Sequence, residues 1–457
     1  MPRPVHSCAL SCFILLGCGG DDDEPEPRAE ACSIEAQSGC DAGLVCEAVV
    51  GAADEVGCFA PVTVRGRVVD ALSGDAIANA HVVARDANGA AVSSVAVTET
   101  DGSYALTVPV TRTDANGALA PTFYTLRADA ARYATFPRAP RVALPIEVST
   151  AVGDPPVVQN TATDVALIPL PDGAAAGSIS GRVLADHPGG TLVVAGGATA
   201  VADRNGQYTV FNVPTGNVTV QGYAAALNLG AVAAEVRAGE ETAGVVLRAL
   251  GEANVAVSGS IQIVNAAGGM GTSVILVVED TFEPNAASGE SPPGLRAANV
   301  SGAWSIPAVP NGKYVVLGAF ENDDLVRDPD TSIGGTDVQR IEVAGAAVTV
   351  PGFKITGALA VLSPGAETTD SVSGTPEFTW EDDSSEDSYE VLVFDALGNS
   401  VWATTGNFDP GGGRPASVTY AGPALSSGMI YQFRATSLKD GVPISRTEDL
   451  KGVFVYR

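Results

Sequence analysis

From Val62 to Tyr456 the chain is written in short runs where apolar and polar residues alternate, and Gly, Asp, Asn and Pro break the runs. Alternation at period two is the pattern of a strand with one face buried. The punctuating residues are those that close tight turns. The pattern therefore predicts many short strands joined by hairpins. Long stretches with apolar residues at helical spacing are scarce, so the expected fold class is all-β.

The strand pattern repeats three times. The first copy opens with Gly66-Arg67-Val68-Val69-Asp70 and continues through Asp101-Gly102-Ser103-Tyr104. The second has Gly181-Arg182-Val183 and Asn205-Gly206-Gln207-Tyr208, and the third has Gly259-Ser260-Ile261 and Ser301-Gly302-Ala303-Trp304. The second and third end in a Pro-x-Gly turn and a further strand, at Pro214 to Gly222 and Pro310 to Gly318. Period-two alternation points Tyr104, Tyr208 and Trp304 inward, as core anchors. The second copy is short in its middle, and the third carries a polar insertion around Glu279 to Arg296.

The Gly-Arg-Val-x-Asp start and the Asp-Gly-Ser-Tyr step resemble the carboxypeptidase regulatory-like domain. That resemblance implies seven-stranded, transthyretin-like β-sandwiches over 62–172, 177–250 and 254–357. The last hundred residues, 358–457, differ. Trp380 precedes an acidic turn, Glu381 to Asp387, and then Tyr389 to Phe394 alternate. Leu425, Gly428 and Tyr431 stand before another alternating strand, a spacing that resembles the tyrosine corner of a fibronectin type III domain. The resemblance implies a Tyr431 hydroxyl bonded to upstream backbone, and Trp380 in the core between two sheets.

The amino-terminal sixty residues follow other rules. Arg3, an apolar run from Ala9 to Leu16, and then Leu15-Leu16-Gly17-Cys18 precede an acidic stretch. The run is too short to span a bilayer, which needs about 20 residues, and suits a signal-peptide core. It resembles a bacterial lipoprotein signal over 1–17, which implies that Cys18 becomes the lipidated first residue. Residues 18–30, rich in Gly, Pro and acid, read as a disordered tether. The chain has seven Cys, and Cys32, Cys40, Cys46 and Cys58 fall in 31–61. Four Cys in so small a segment of an exported chain read as two disulfides holding a knob too small for its own core. Three pairings are possible. A zinc site is the alternative, and neither a nearby His nor a Cys-x2-Cys spacing supports it.

Charge narrows the partners. With 25 basic and 53 acidic residues the net charge is −28. Such a chain repels nucleic acid and anionic headgroups, so membrane contact must come through the lipid on Cys18. Chemistry is thinly represented. The three histidines are His6 in the signal, His81 in a strand run and His187 in a turn. No His-Glu-x-x-His, Gly-x-Ser-x-Gly, phosphate-loop or dinucleotide pattern occurs. The densest cluster of oxygen ligands is Glu321, Asp323, Asp324, Asp328, Asp330 and Asp337, a candidate calcium loop or a solvated acidic loop. The Asp-x-Asn-Gly steps at Asp86, Asp114 and Asp203 read as hairpin turns. Trp402 and Tyr420 are the aromatics left over for a sugar face.

The expectation is a string of tandem immunoglobulin- or transthyretin-like sandwiches after a lipoprotein signal, a tether and a disulfide knob. It would be a non-catalytic binding or adhesion scaffold, lipid-anchored at the outer membrane or surface of a Gram-negative bacterium. The combination resembles lipoproteins of predatory, myxobacteria-like bacteria. The partner would be a protein or glycan, with no required cofactor and calcium as an option. A structural envelope spacer, a carbohydrate-binding module protein and, last, a hydrolase are the competing readings.

Overall fold

A computed structural model describes residues 32–34, 37–50, 56–114, 116–138, 141–171, 176–264, 272–283, 289–320, 338–356, 359–383, 386–408, 414–448 and 450–457. Cys18 and the acidic loop from Glu321 to Asp337 lie outside them. The described chain is built almost wholly of strands, with three short 3-10 turns. The three repeat copies are β-sandwiches of two four-stranded sheets each. The shorter second copy still completes both sheets, because what it lacks is loop rather than strand.

One arrangement recurs in all three. The opening strand, Val62–Asp70, Ala176–Leu184 or Val255–Val264, lies at the centre of its sheet. It pairs antiparallel with the strand that carries the aromatic residue and parallel with the last strand of the copy. In each register the glycine faces the ring directly: Gly66 opposite Tyr104, Gly181 opposite Tyr208, Gly259 opposite Trp304. The parallel ladder breaks beside each glycine, and a carbonyl turns in over it: Thr163 of the 3-10 turn Thr161–Thr163 over Gly66, Val245 of the last strand over Gly181, and Val350, between two short strands, over Gly259. A Cβ on Gly66 or Gly181 would fall on the Thr163 or Val245 oxygen. The Tyr104 hydroxyl donates to Thr163 O at 2.5 Å, and the Tyr208 hydroxyl donates to Val245 O at 2.9 Å. Burial pushes the Tyr208 phenol up to about 12, so it stays a donor at any ordinary pH. Trp304 fills the same place with an indole Nε1 that has no hydrogen-bond partner among the described residues.

The rest of each motif serves this crossing. The residue two after the glycine, Val68, Val183 or Ile261, donates its amide to the turn glycine carbonyl at 2.9, 2.8 and 2.9 Å. Arg67 reaches the Asp101 carbonyl and Arg182 the Asn205 carbonyl, which fastens the hairpin end. Asp86, Asp114 and Asp203 accept backbone amides two and four residues on, as turn-closing side chains do.

The fourth sandwich, from Leu359 on, has a three-stranded and a six-stranded sheet. Trp380 is fully buried between them, stacked edge-on to Tyr389 at 5.2 Å. The Tyr431 hydroxyl accepts the Ser426 amide at 2.9 Å, the upstream backbone bond expected of its spacing. The knob is closed by Cys32–Cys46 and Cys40–Cys58. Its strand Val45–Val49 adds to Thr111–Arg112 of the first sandwich, and a buried Glu47–Arg112 ion pair at 2.6 Å fixes the junction.

The sandwiches are not strung end to end. Phe394, Ala396, Ile430 and Val453 of the fourth belong to the hydrophobic core of the first. Leu192, Val194 and Tyr223 of the second belong to the core of the third, where Tyr223 meets Tyr314 edge-on at 5.9 Å. The chain folds back, and its last sandwich seals against its first.

Gly181→Ala is expected to cost about 3 kcal/mol, because the carbonyl over the glycine must move. Tyr208→Phe should cost about 1 kcal/mol through the lost hydrogen bond. Gly302→Ala, where a Cβ meets nothing within 4 Å and φ is not positive, serves as the near-neutral control. Urea unfolding of the three variants checks the order.

Candidate functional site

A cleft of about 430 Å³ lies between the first and second sandwiches. Its floor is the outer face of the second sandwich, where Ser180 stands opposite Thr209 and Arg182 opposite Gln207. His81, Val95 and Val97 of the first sandwich form the wall. The polar atoms that converge there are largely engaged within the protein. Ser180 donates to Glu241, Arg182 Nε to the Asn205 carbonyl, and Asp203 accepts two turn amides. His81 lies edge-on to Phe211 at 5.1 Å, and burial lowers its pKa so that the ring is neutral near pH 7, against the pull of Asp129 and Asp203. His187 is exposed in its turn. Among the described residues neither histidine is hydrogen-bonded to a hydroxyl or a carboxylate, so neither forms the histidine–nucleophile pair of a Ser-His-type site.

Other candidates are absorbed by structure. The one group of three metal-type side chains within mutual reach among the described residues is Cys32, Cys40 and Cys46, and all three are in disulfides. In the acidic turn before Tyr389, Asp382 accepts the Tyr389 hydroxyl at 2.9 Å and Asp383 accepts Ser437 at 2.8 Å. No described aromatic ring is exposed. Tyr420 is 8% exposed, and Trp402 leans on it edge-on at 5.0 Å, so the two rings close one end of the fourth core rather than form a flat sugar platform.

The densest electrostatic feature is one that the sequence pattern alone does not single out. Arg127 is 2% exposed at the meeting point of three sandwiches. Its Nε and Nη2 donate to Asp129 at 2.7 and 3.1 Å, and Nη2 also donates to Thr199 Oγ1 and O at 2.7 and 3.1 Å. Its Nη1 lies 2.7 Å from Glu290 of the third sandwich, which is also 3.4 Å from Arg85. Burial works against the guanidinium charge, and Asp129 and Glu290 outweigh it, so the pKa rises. Beside it Arg296 donates to Asn88 at 2.7 Å and lies 3.6 Å from Asp86. The polar insertion around Glu279 to Arg296 therefore supplies the carboxylate and the arginine that dock the third sandwich on the first. The available signal was Arg127 and Asp129 two apart in a strand, hence on one face, within an otherwise apolar run. This cluster joins sandwiches and presents no reacting atom to solvent.

No protein-family model and no curated protein matches this chain. Among solved structures it is similar to a DUF3823 family protein from Bacteroides ovatus, at 11% identity over 44% of this chain and 98% of that one, with a TM-score of 0.22. It is similar to the major pilin subunit of Bacillus cereus at 11% identity, over 64% of this chain and 99% of that one, with a TM-score of 0.16. It is also similar to the Bacillus anthracis TIE protein at 14% identity and a TM-score of 0.16, where the match covers 67% of this chain and 53% of that one, about half its length. Superpositions this loose say nothing about ligands or partners.

One carboxyl does titrate in the physiological range. Burial pushes Glu448 up to about 7, against the charge of Lys451 and with that of Glu367. Between its ordinary value of 4.5 and about 7 the folded chain holds a proton that the unfolded chain has lost. That contribution to stability is complete below 4.5 and disappears as pH rises through 7. The fourth sandwich should thus lose stability from pH 5 to pH 8, and Glu448→Gln should flatten that slope in thermal melts. An unchanged slope would assign the dependence elsewhere.

Proposed function

We propose that the protein is a non-catalytic scaffold of the bacterial envelope, lipid-anchored through Cys18, that holds a multi-sandwich body near the membrane for a protein ligand. The observation that carries this reading is where the chain places its polar and aromatic groups. Aromatic rings fill cores, the described cysteines close disulfides, and the buried charges join one sandwich to another. What is built is shape, with no histidine wired for chemistry among the described residues. Two disulfides fit an exported chain, and the Leu15-to-Cys18 motif supplies the anchor. A protein ligand is favoured over a glycan because no described ring is free to stack on a sugar face.

A purely structural spacer is the second reading, favoured by the fold-back that seals the last sandwich on the first. Fractionation tests the anchor: Cys18→Ala should move the chain from the membrane to the soluble or unprocessed pool, and continued membrane partition would sink it. Protease treatment of intact cells then separates the two readings. Digestion of the sandwiches supports surface display to a ligand, and complete protection leaves the spacer.

A further inference from the structure

We infer that the molecule is a two-body hinge, in which the first and fourth sandwiches move as one half, the second and third as the other, and Arg127 is the latch between them. The halves are defined by what fuses them. One hydrophobic core runs through the first and fourth sandwiches and another through the second and third. Backbone amides cross the seams inside each half: Ala226 to the Ala308 carbonyl at 2.8 Å in one, Val142 to the Gly398 carbonyl at 3.3 Å in the other. Ile430 donates across the second seam to Thr161 Oγ1 at 3.1 Å.

The interface between the halves is of another kind. Among the described residues no hydrophobic cluster spans it. Among the described residues it is carried by the Arg127 cluster, the Arg296 pair, the His81–Phe211 contact and a small polar seam. In that seam Asn212 accepts the Arg132 amide at 2.8 Å and donates to the Ala130 and Tyr133 carbonyls at 3.0 and 2.8 Å. Water can solvate each of these groups when the halves part, whereas parting a shared core exposes apolar surface at about 25 cal/mol per Å². Polar contacts between domains are where relative motion is expected. Burying an ion pair repays little beyond its desolvation, so the closed state is held by a small margin while every partner is in place. The chain crosses between the halves twice, after Pro171 and after Thr356.

The cluster is asymmetric, and this makes the idea testable. Without Arg127, Asp129 loses its bidentate cation and Glu290 keeps only the longer Arg85 contact at 3.4 Å, so the two carboxylates repel across a weakened interface. Without the Glu290 charge, Arg127 keeps its bidentate partner Asp129 within the first sandwich.

The test is single-amide hydrogen exchange on the full chain in detergent. In Arg127→Met the Arg132 amide should exchange at least tenfold faster, while the Ala226 and Ile430 amides keep their wild-type rates. An unchanged Arg132 amide, or an equal rise at Ala226 or Ile430, overturns the hinge. Glu290→Gln should give a smaller rise, about threefold, confined to Arg132. If Arg127→Met does not fold, this milder variant decides: no rise, or a rise at all three amides, rejects the proposal.

Discussion

Each repeated sandwich depends on a carbonyl oxygen that occupies the space where a side chain would have been. At Gly66 a 3-10 turn between two parallel strands, and at Gly181 the last strand itself, turns one oxygen over the glycine, and that oxygen receives a phenol hydroxyl from the strand on the other side. Three segments of the chain are thereby tied at one point. The aromatic ring covers the bare glycine backbone, and the hydroxyl satisfies a carbonyl that the broken ladder would leave unpaired in the interior. The third sandwich keeps the glycine and the ring but exchanges phenol for indole, and so keeps the packing without that bond.

From these tied sandwiches a larger order follows. Apolar surface on the outer faces fuses the sandwiches in pairs, first with fourth and second with third. The pairing is not the order of the chain. It brings the carboxyl-terminal sandwich back beside the knob-bearing one, which makes a folded body rather than a stalk. The two pairs then meet through charge. An insertion in the third sandwich carries Glu290 to Arg127, and the net charge of −28 makes a buried cation a natural meeting point for acidic neighbours.

Function-bearing residues are marked more by use than by absence. His81, Tyr420, Trp402 and the acidic turn all attract attention in the sequence, and each has a structural task. Glu290 attracts none, since a glutamate in a polar insertion resembles any solvated loop residue. Its role depends on a strand more than 160 residues earlier in the chain, a distance that no local pattern encodes.

The sequence by itself determined the strands, the hairpin turns, the inward rings and the disulfide-forming cysteines. These follow from period-two alternation, from glycine's tolerance of positive φ and from cysteine count in a small segment, all properties of neighbours along the chain. It also marked Tyr431 as a corner through local spacing. Only the tertiary structure decided which cysteines pair, which carbonyl sits over each glycine, which sandwiches share a core and what Arg127 binds. Those outcomes depend on surfaces that meet after folding, where desolvation and packing choose among partners that are equally plausible in one dimension.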